Sequence, residues 1–139
     1  MKKLLLLISC AAIGFAGQAQ SLHFVNLNPA STNLTGPNNQ VMQSYAQVQN
    51  TGAVTLTVKV TRTVNNLAPN HVSNFCFAGQ CYPSAVSNSL TVNIDPGSVI
   101  DSVNALLADL NPLNTNGISD VTYKAFDVDN PSEIGRAHV

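Results

Sequence analysis

The chain contains no tryptophan, and aromatic residues make up only 6% of it. Charged residues are 9% of its 139 positions, against the ~25% of an ordinary soluble domain. There are three cysteines, and no run of Lys and Arg follows Lys2 and Lys3. Each scarcity excludes something. Without a basic patch the chain lacks the electrostatic footprint of a nucleic-acid binder. Without a polybasic stretch it has none for anionic lipid. With few aromatics, and those mostly inside apolar strand patterns, it offers little stacking surface to a glycan. The low charge is not a mark of disorder, because β-branched and aromatic residues recur along the whole chain. Solubility falls instead to Asn, Gln, Ser and Thr. After the leader the balance is acidic: six Asp and Glu133 stand against Lys59, Arg62, Lys124 and Arg136.

Catalytic constellations are missing as well. No serine sits in a Gly-x-Ser-x-Gly elbow, and His71 has no evident acid partner in sequence, so a hydrolase triad is unsupported. No two carboxylates stand in the context of a glycosidase pair. The expectation is a protein that is not an enzyme and carries no cofactor.

What is present begins with a leader. Lys2 and Lys3 form a positive start, Leu4 to Ile8 and Ala11 to Ala16 an apolar stretch, and Gly17-Gln18-Ala19 places small residues where signal peptidase reads them. This predicts a secretory signal peptide over 1–19, cut between Ala19 and Gln20. The apolar run falls short of the ~20 residues a transmembrane helix needs. Leu7-Ile8-Ser9-Cys10 also has the form of a lipidation box, but it would leave an unusually short leader. About 120 residues then remain, enough for one domain with a modest core.

The far end carries a different anomaly. Ile134-Gly135-Arg136-Ala137-His138-Val139 matches what an adapter used in short-read DNA sequencing would encode in frame, with Glu133 at the junction. Residues 134–139 are therefore expected to be a non-native tail, to be set aside in fold reasoning as fusion scars are.

Between leader and tail the pattern is all β. In "AVTLTVKVTRTV", Val54, Leu56, Val58 and Val60 alternate with Thr55, Thr57, Lys59 and Thr61, as in a strand with one buried face. "SLTVNI" predicts Leu90, Val92 and Ile94 inward; "VMQSYAQVQN" predicts Met42, Ala46 and Val48 inward. Asn50-Thr51-Gly52 reads as the turn of a hairpin leading back to Val54. "LHFVNL" and "VTYKAFDV" read as a first and a late strand, and Asn-Pro, Pro-Gly and Asn-Gly pairs punctuate the intervals. One segment conflicts: "SVIDSVNALLADL" spaces Val99, Ile100, Val103, Leu106, Leu107 and Leu110 as an amphipathic helix would.

Taken together, "VTRTVNNL", "NFCFAGQCYP", "LTVNIDPGSV" and "ADLNPLNTNGISDVTYKAFDVDNPSE" resemble a recurring immunoglobulin-like module of secreted bacterial proteins exported by the type IX secretion system. The resemblance spans about Gln40 to Glu133. It implies an immunoglobulin-like antiparallel β-sandwich over residues 20–133, extended structure from Val99 to Leu110, and a C-terminal sorting domain downstream. The resemblance puts a final strand where the tail begins, so the sandwich is expected to lack its last strand. It also implies passage through the oxidising periplasm to a secreted or outer-surface location, with other domains of the same protein as partners.

In that compartment Cys76 and Cys81 are expected to pair. A two-residue turn at Ala78-Gly79 sets them opposite each other at a non-hydrogen-bonded position. A zinc site would need further ligands, for which His23 and His71 lack spacing; copper would need Met42 elsewhere in the chain; a redox pair would be Cys-x-x-Cys. His71 reads as a turn or surface residue. Asp127-Val128-Asp129-Asn130 offers alternate carboxylates to calcium but lacks the rest of a loop; a strand-end turn is the simpler reading. Two functions remain. One is a non-catalytic spacer or accessory module. The other is a glycan- or protein-binding module using the loops at one sandwich end.

Overall fold

A computed structural model describes residues 21–29, 34–100 and 105–131, together with the backbone of 134–138. The leader, including Cys10, Ala19 and Gln20, lies outside the described residues. The described residues form ten strands: β1 (Leu22–Asn28), β2 (Met42–Asn50), β3 (Leu56–Asn66), β4 (Val72–Phe77), β5 (Gln80–Tyr82), β6 (Val92–Ile94), β7 (Val99–Ile100), β8 (Leu106–Asn111), β9 (Asp120–Asp127) and β10 (Ile134–His138). No helix forms among the described residues, so none there is long and apolar enough to cross a membrane.

The strands make two antiparallel sheets. One runs β1-β2-β8-β4-β5, with β7 also on β2; the other runs β10-β9-β3-β6. Alternation explains how they stack. Leu56, Val58, Val60 and Arg62 of β3 point inward, as do Val121, Tyr123 and Ala125 of β9. Opposite them lie Ala46 and Val48 of β2, Phe75 and Phe77 of β4, and Leu106 and Ala108 of β8. Phe75, Phe77 and Tyr123 are fully buried, each worth about 1.5–3 kcal/mol of transfer free energy. The chain is an all-β, immunoglobulin-like sandwich.

The structure corrects several expectations, each for a local reason. Asn50-Thr51-Gly52 does not turn a hairpin, because β2 and β3 lie in different sheets. The buried Asn50 amide makes the crossing: it donates to Val54 O (2.8 Å) and Ile94 O (2.9 Å) and accepts from Gly52 N (2.8 Å). Val54 is thereby left outside the strand and 65% exposed. Leu90 points outward, 70% exposed. Ser89 takes its place on β3: its N–H donates to Val60 O (2.8 Å) and its Oγ accepts Val60 N–H (2.9 Å). A shift of one residue reverses the facing of a strand, so only Val92 and Ile94 keep the expected inward side.

The ambiguous segment is extended on both sides of the undescribed residues 101–104. Val99 and Ile100 pair with Gln49 and Val48, and Leu106–Leu110 pairs with Ala46–Met42 on one side and β4 on the other. Two open strand edges outweigh a helical period in a short apolar run. The expected missing strand is also corrected. Ile134–His138 pairs antiparallel with β9, from Ile134↔Phe126 to His138↔Thr122. Strand pairing uses main-chain groups, so the free edge of β9 accepts a segment without the alternating pattern.

Candidate functional site

At one end of the sandwich, β2, β4 and β9 begin and β8 ends. There the two sheets part around a cleft of about 530 Å³. Its floor is Ser73, Ala108, Val121 and Tyr123, all buried; Leu34, Met42 and Leu110 form apolar walls, and Ile118 stands exposed at the mouth. Strand alternation supplies the floor. The loops between strands supply the rim.

Those loops are held by specific contacts. His71, just before β4, is buried rather than on the surface. Its Nε2 lies 2.9 Å from Thr115 O and its Nδ1 2.8 Å from Ser119 Oγ. A carbonyl only accepts, so Nε2 carries a proton; in the neutral ring Nδ1 then accepts from the serine hydroxyl. Ser119 Oγ in turn accepts from Ala68 N–H (3.1 Å). His71 therefore pins the β8–β9 loop to the β3–β4 loop. Gly117 packs so closely that a Cβ there would lie 2.3 Å from the Ala68 Cβ. Asn38 from the β1–β2 loop donates to Asn116 Oδ1 (3.0 Å), and Asn114 N–H donates to Asn38 O (2.8 Å).

Beneath the floor lies Arg62, 3% exposed. Its Nη1 donates to Ser73 O and its Nη2 to Ser84 O (2.5 Å), while Nε has no partner. The guanidinium carbon sits 5.7 Å from the Phe75 ring centroid. Tyr123 donates its hydroxyl to Asn74 O (3.3 Å) and lies 3.3 Å from Ser73 Oγ. Burial pushes the Tyr123 phenol above its usual range, with Asp109 adding to the effect; Ser73 and Arg62 pull the other way. The alternation expected from sequence stops at Val60; carried two residues further along "VTLTVKVTR", it sets Arg62 on the inner face, so the signal was there to be found.

The cysteine pair lies elsewhere, on the outer face of β4 and β5. Ala78 and Gly79 both have positive φ (52° and 76°), the geometry of a type I′ turn. Phe77 faces Gln80 and Cys76 faces Cys81; the sulfurs are bonded, with Cα atoms 3.9 Å apart. Phe75, Phe77 and Tyr82 occupy the opposite, buried face. Bonded sulfurs are not thiolate ligands. His23 on β1, Met42 at the cleft and His71 in its loop contacts belong to other parts of the fold. Asp127 is at the end of β9, with its Oδ1 accepting from Thr57 N–H (3.1 Å) and Asp129 N–H (3.4 Å). That is a strand-end turn. Among the described residues, no three His, Cys, Asp or Glu gather as a metal site would require.

No family model matches the chain, and no curated protein does. Among solved structures it is similar to the N-terminal domain of PorA, with a TM-score of 0.54 and 21% identity over 76% of this chain and 78% of that one. A PapD-like domain of human CEP192 aligns over 99% of this chain and 91% of its own, at 10% identity and a TM-score of 0.43. At such identity the PorA likeness speaks to fold alone: an immunoglobulin-like β module.

Proposed function

We propose that this chain is a non-catalytic structural or accessory module of a larger protein that leaves the cell through the periplasm. The observation that carries the reading is the closed Cys76–Cys81 pair on a solvent-facing hairpin. Such a bond persists in oxidising compartments, and it follows a leader of secretory form. The resemblance of residues 40–133 to modules of the type IX route supports the same itinerary. A sandwich with a single core and tied loops suits a spacer.

Two measurements test it. Protein recovered outside the cell should begin at Gln20 and show no free thiol. An intact leader with free cysteines, in protein retained in the cytosol, overturns the export reading. Deleting the module from the larger protein should alter yield or display and leave turnover per molecule of any catalytic neighbour unchanged. Loss of that turnover overturns the non-catalytic reading.

The cleft favours a second reading, a binding module working through one sandwich end. Its lining fits that role better for an apolar ligand than for a glycan. Tyr123 is at the closed bottom, and no exposed aromatic rims the mouth among the described residues.

A further inference from the structure

We propose that Asn116 is a site of spontaneous deamidation, and that its isoaspartyl product loosens the loop that rims the cleft. The inference does not depend on the spacer reading, since the reaction needs no partner beyond water.

The step balances within two residues. The Gly117 main-chain nitrogen gives up its proton to base and attacks Asn116 Cγ. A C–N bond forms, the bond from Cγ to the amide nitrogen breaks, and that nitrogen takes up a proton and leaves as ammonia. A five-membered succinimide remains. Water then opens it at Cγ, giving aspartate, or at the main-chain carbonyl, giving isoaspartate, in which the chain runs through Cβ.

The attack needs an asparagine whose following N–H is uncommitted and unscreened. The structure sorts the loop asparagines by that criterion. Thr51 N–H, after Asn50, donates to Ser21 O (2.7 Å), and His71 N–H, after Asn70, to Ala68 O (3.0 Å). Ser89 N–H, after Asn88, donates to Val60 O (2.8 Å), and Thr115 N–H, after Asn114, to Pro112 O (2.9 Å). Asn28, Asn111 and Asn130 precede proline, which has no N–H to lose. Gly117 differs on both counts. Its N–H donates to no acceptor among the described residues, and it has no Cβ to screen the approach. Asn116 is exposed, and it is the one asparagine of the chain that glycine follows. Its Oδ1 accepts from Asn38 Nδ2 (3.0 Å), so the anchored end of the amide is the oxygen and not the nitrogen that must leave.

The consequence follows from what flanks the site. Isoaspartate adds one carbon to the main chain between 116 and 117, about 1.5 Å. Just before it, Thr115 O is held by His71 Nε2 (2.9 Å); just after it, Ser119 Oγ is held by Nδ1 of the same ring (2.8 Å). Between the two, Gly117 lies against Ala68. A longer chain between those anchors is expected to release at least one of them. Aspartate keeps the chain length and still offers an oxygen to Asn38.

The experiment incubates the purified full chain in mildly alkaline buffer beside a synthetic peptide of residues 114–119, and follows intact mass and peptide map. Each conversion replaces NH2 by OH and is read as a mass gain. Expected is conversion at Asn116 ahead of every other asparagine, faster at higher pH, with isoaspartate among the products. Asn116→Gln should lose the early mass gain. The isoaspartyl chain, separated by chromatography, should melt below the parent and shift the amide signals of His71 and Ser119. Asn116→Asp should melt as the parent does. An Asn116 that stays intact while the peptide converts, conversion that begins at another asparagine, or an isoaspartyl chain as stable as the parent each overturns the proposal. So does an Asn116→Asp chain that melts as low as the isoaspartyl one, since added charge would then account for the loss.

Discussion

Arg62 is the residue whose replacement most directly tests how the two sheets are held. It is buried on β3, and its two terminal nitrogens donate to Ser73 O at the start of β4 and to Ser84 O in the segment after β5. Replacing it with methionine keeps most of the volume and removes both bonds. A hydrogen bond from a charged donor contributes about 1.5–3 kcal/mol, so two give roughly 3–6. The face of Phe75 adds about 0.5–1 kcal/mol. Against this stands relief of burying a guanidinium whose Nε is unpartnered, a penalty of several kcal/mol that hydrophobic replacement removes. The buried Ser73 carbonyl decides the sign, because a buried acceptor left alone costs about 1–3 kcal/mol, whereas Ser84 is exposed and water can take up its carbonyl. The expected net loss for Arg62→Met is therefore about 1–3 kcal/mol, or about 4–12 °C in Tm for a domain of this size.

Urea unfolding of the mature chain measures it, with the m-value checked for constancy so that the shift in midpoint reports stability. Arg62→Lys is the companion: one ammonium has no planar fork to reach both carbonyls, and it should recover less than half the loss. A second readout separates charge from packing. Arg62 pulls the Tyr123 phenol downward, so in Arg62→Met the Tyr123 ionisation should move further up. An Arg62→Met chain as stable as the parent would show that guanidinium desolvation cancels the carbonyl bonds, and the reasoning would be refuted.

Other expectations follow from single contacts. Cys76→Ser with Cys81→Ser should cost at most about 2 kcal/mol, since the bond closes a loop of few residues and the core side chains face away from it; total failure to fold would show a larger role. Gly117→Ala should destabilise by about 1–3 kcal/mol, because its Cβ would sit 2.3 Å from that of Ala68; an unchanged melting curve would mean that the loop moves freely. Leu113 has φ of 48°, a conformation better suited to Asn, so Leu113→Asn should stabilise by up to about 1 kcal/mol in the same assay. Tyr123 stays protonated in the folded chain beyond the point at which the unfolded chain ionises it. Its contribution is therefore intact below pH 10.0, the ordinary tyrosine value, and falls as pH rises above it. Tyr123→Phe should flatten that alkaline decline in denaturant midpoint.

The strands that sequence made legible are those in which one face is wet. β3 alternates Thr and Lys against Leu and Val, and β9 alternates Lys and Thr against Val, Tyr and Ala; water on one side and core on the other write a period of two into the chain. The Ala78-Gly79 turn was legible for a different reason: two residues between Phe77 and Gln80 fix the register by themselves. What sequence did not show were relations between strands. The turn after Asn50 is compatible with a hairpin, and only the reach of the Asn50 amide to Ile94 O, 44 positions along the chain, turns it into a crossing between sheets. Leu90 fits an alternation that Ser89 interrupts, and nothing local marks the interruption.

The cleft was hidden for the same reason. Ser73, Ala108, Val121 and Tyr123 lie on three strands far apart in sequence, and no spacing among them marks a floor. His71 was read from its neighbours as a surface residue because a lone histidine before a strand has no local partner; its partners, Thr115 and Ser119, arrive from a loop more than forty residues later. The polar network that holds the rim is built from Asn38, His71, Asn114 and Ser119, residue types that in sequence look like ordinary loop filling. A chain with so little charge ties its loops with neutral donors and acceptors, whose meaning depends wholly on which acceptor each donor meets. Charge runs and ligand spacings can be read along a line, whereas an amide network can be read only once the ends of the strands have been brought together.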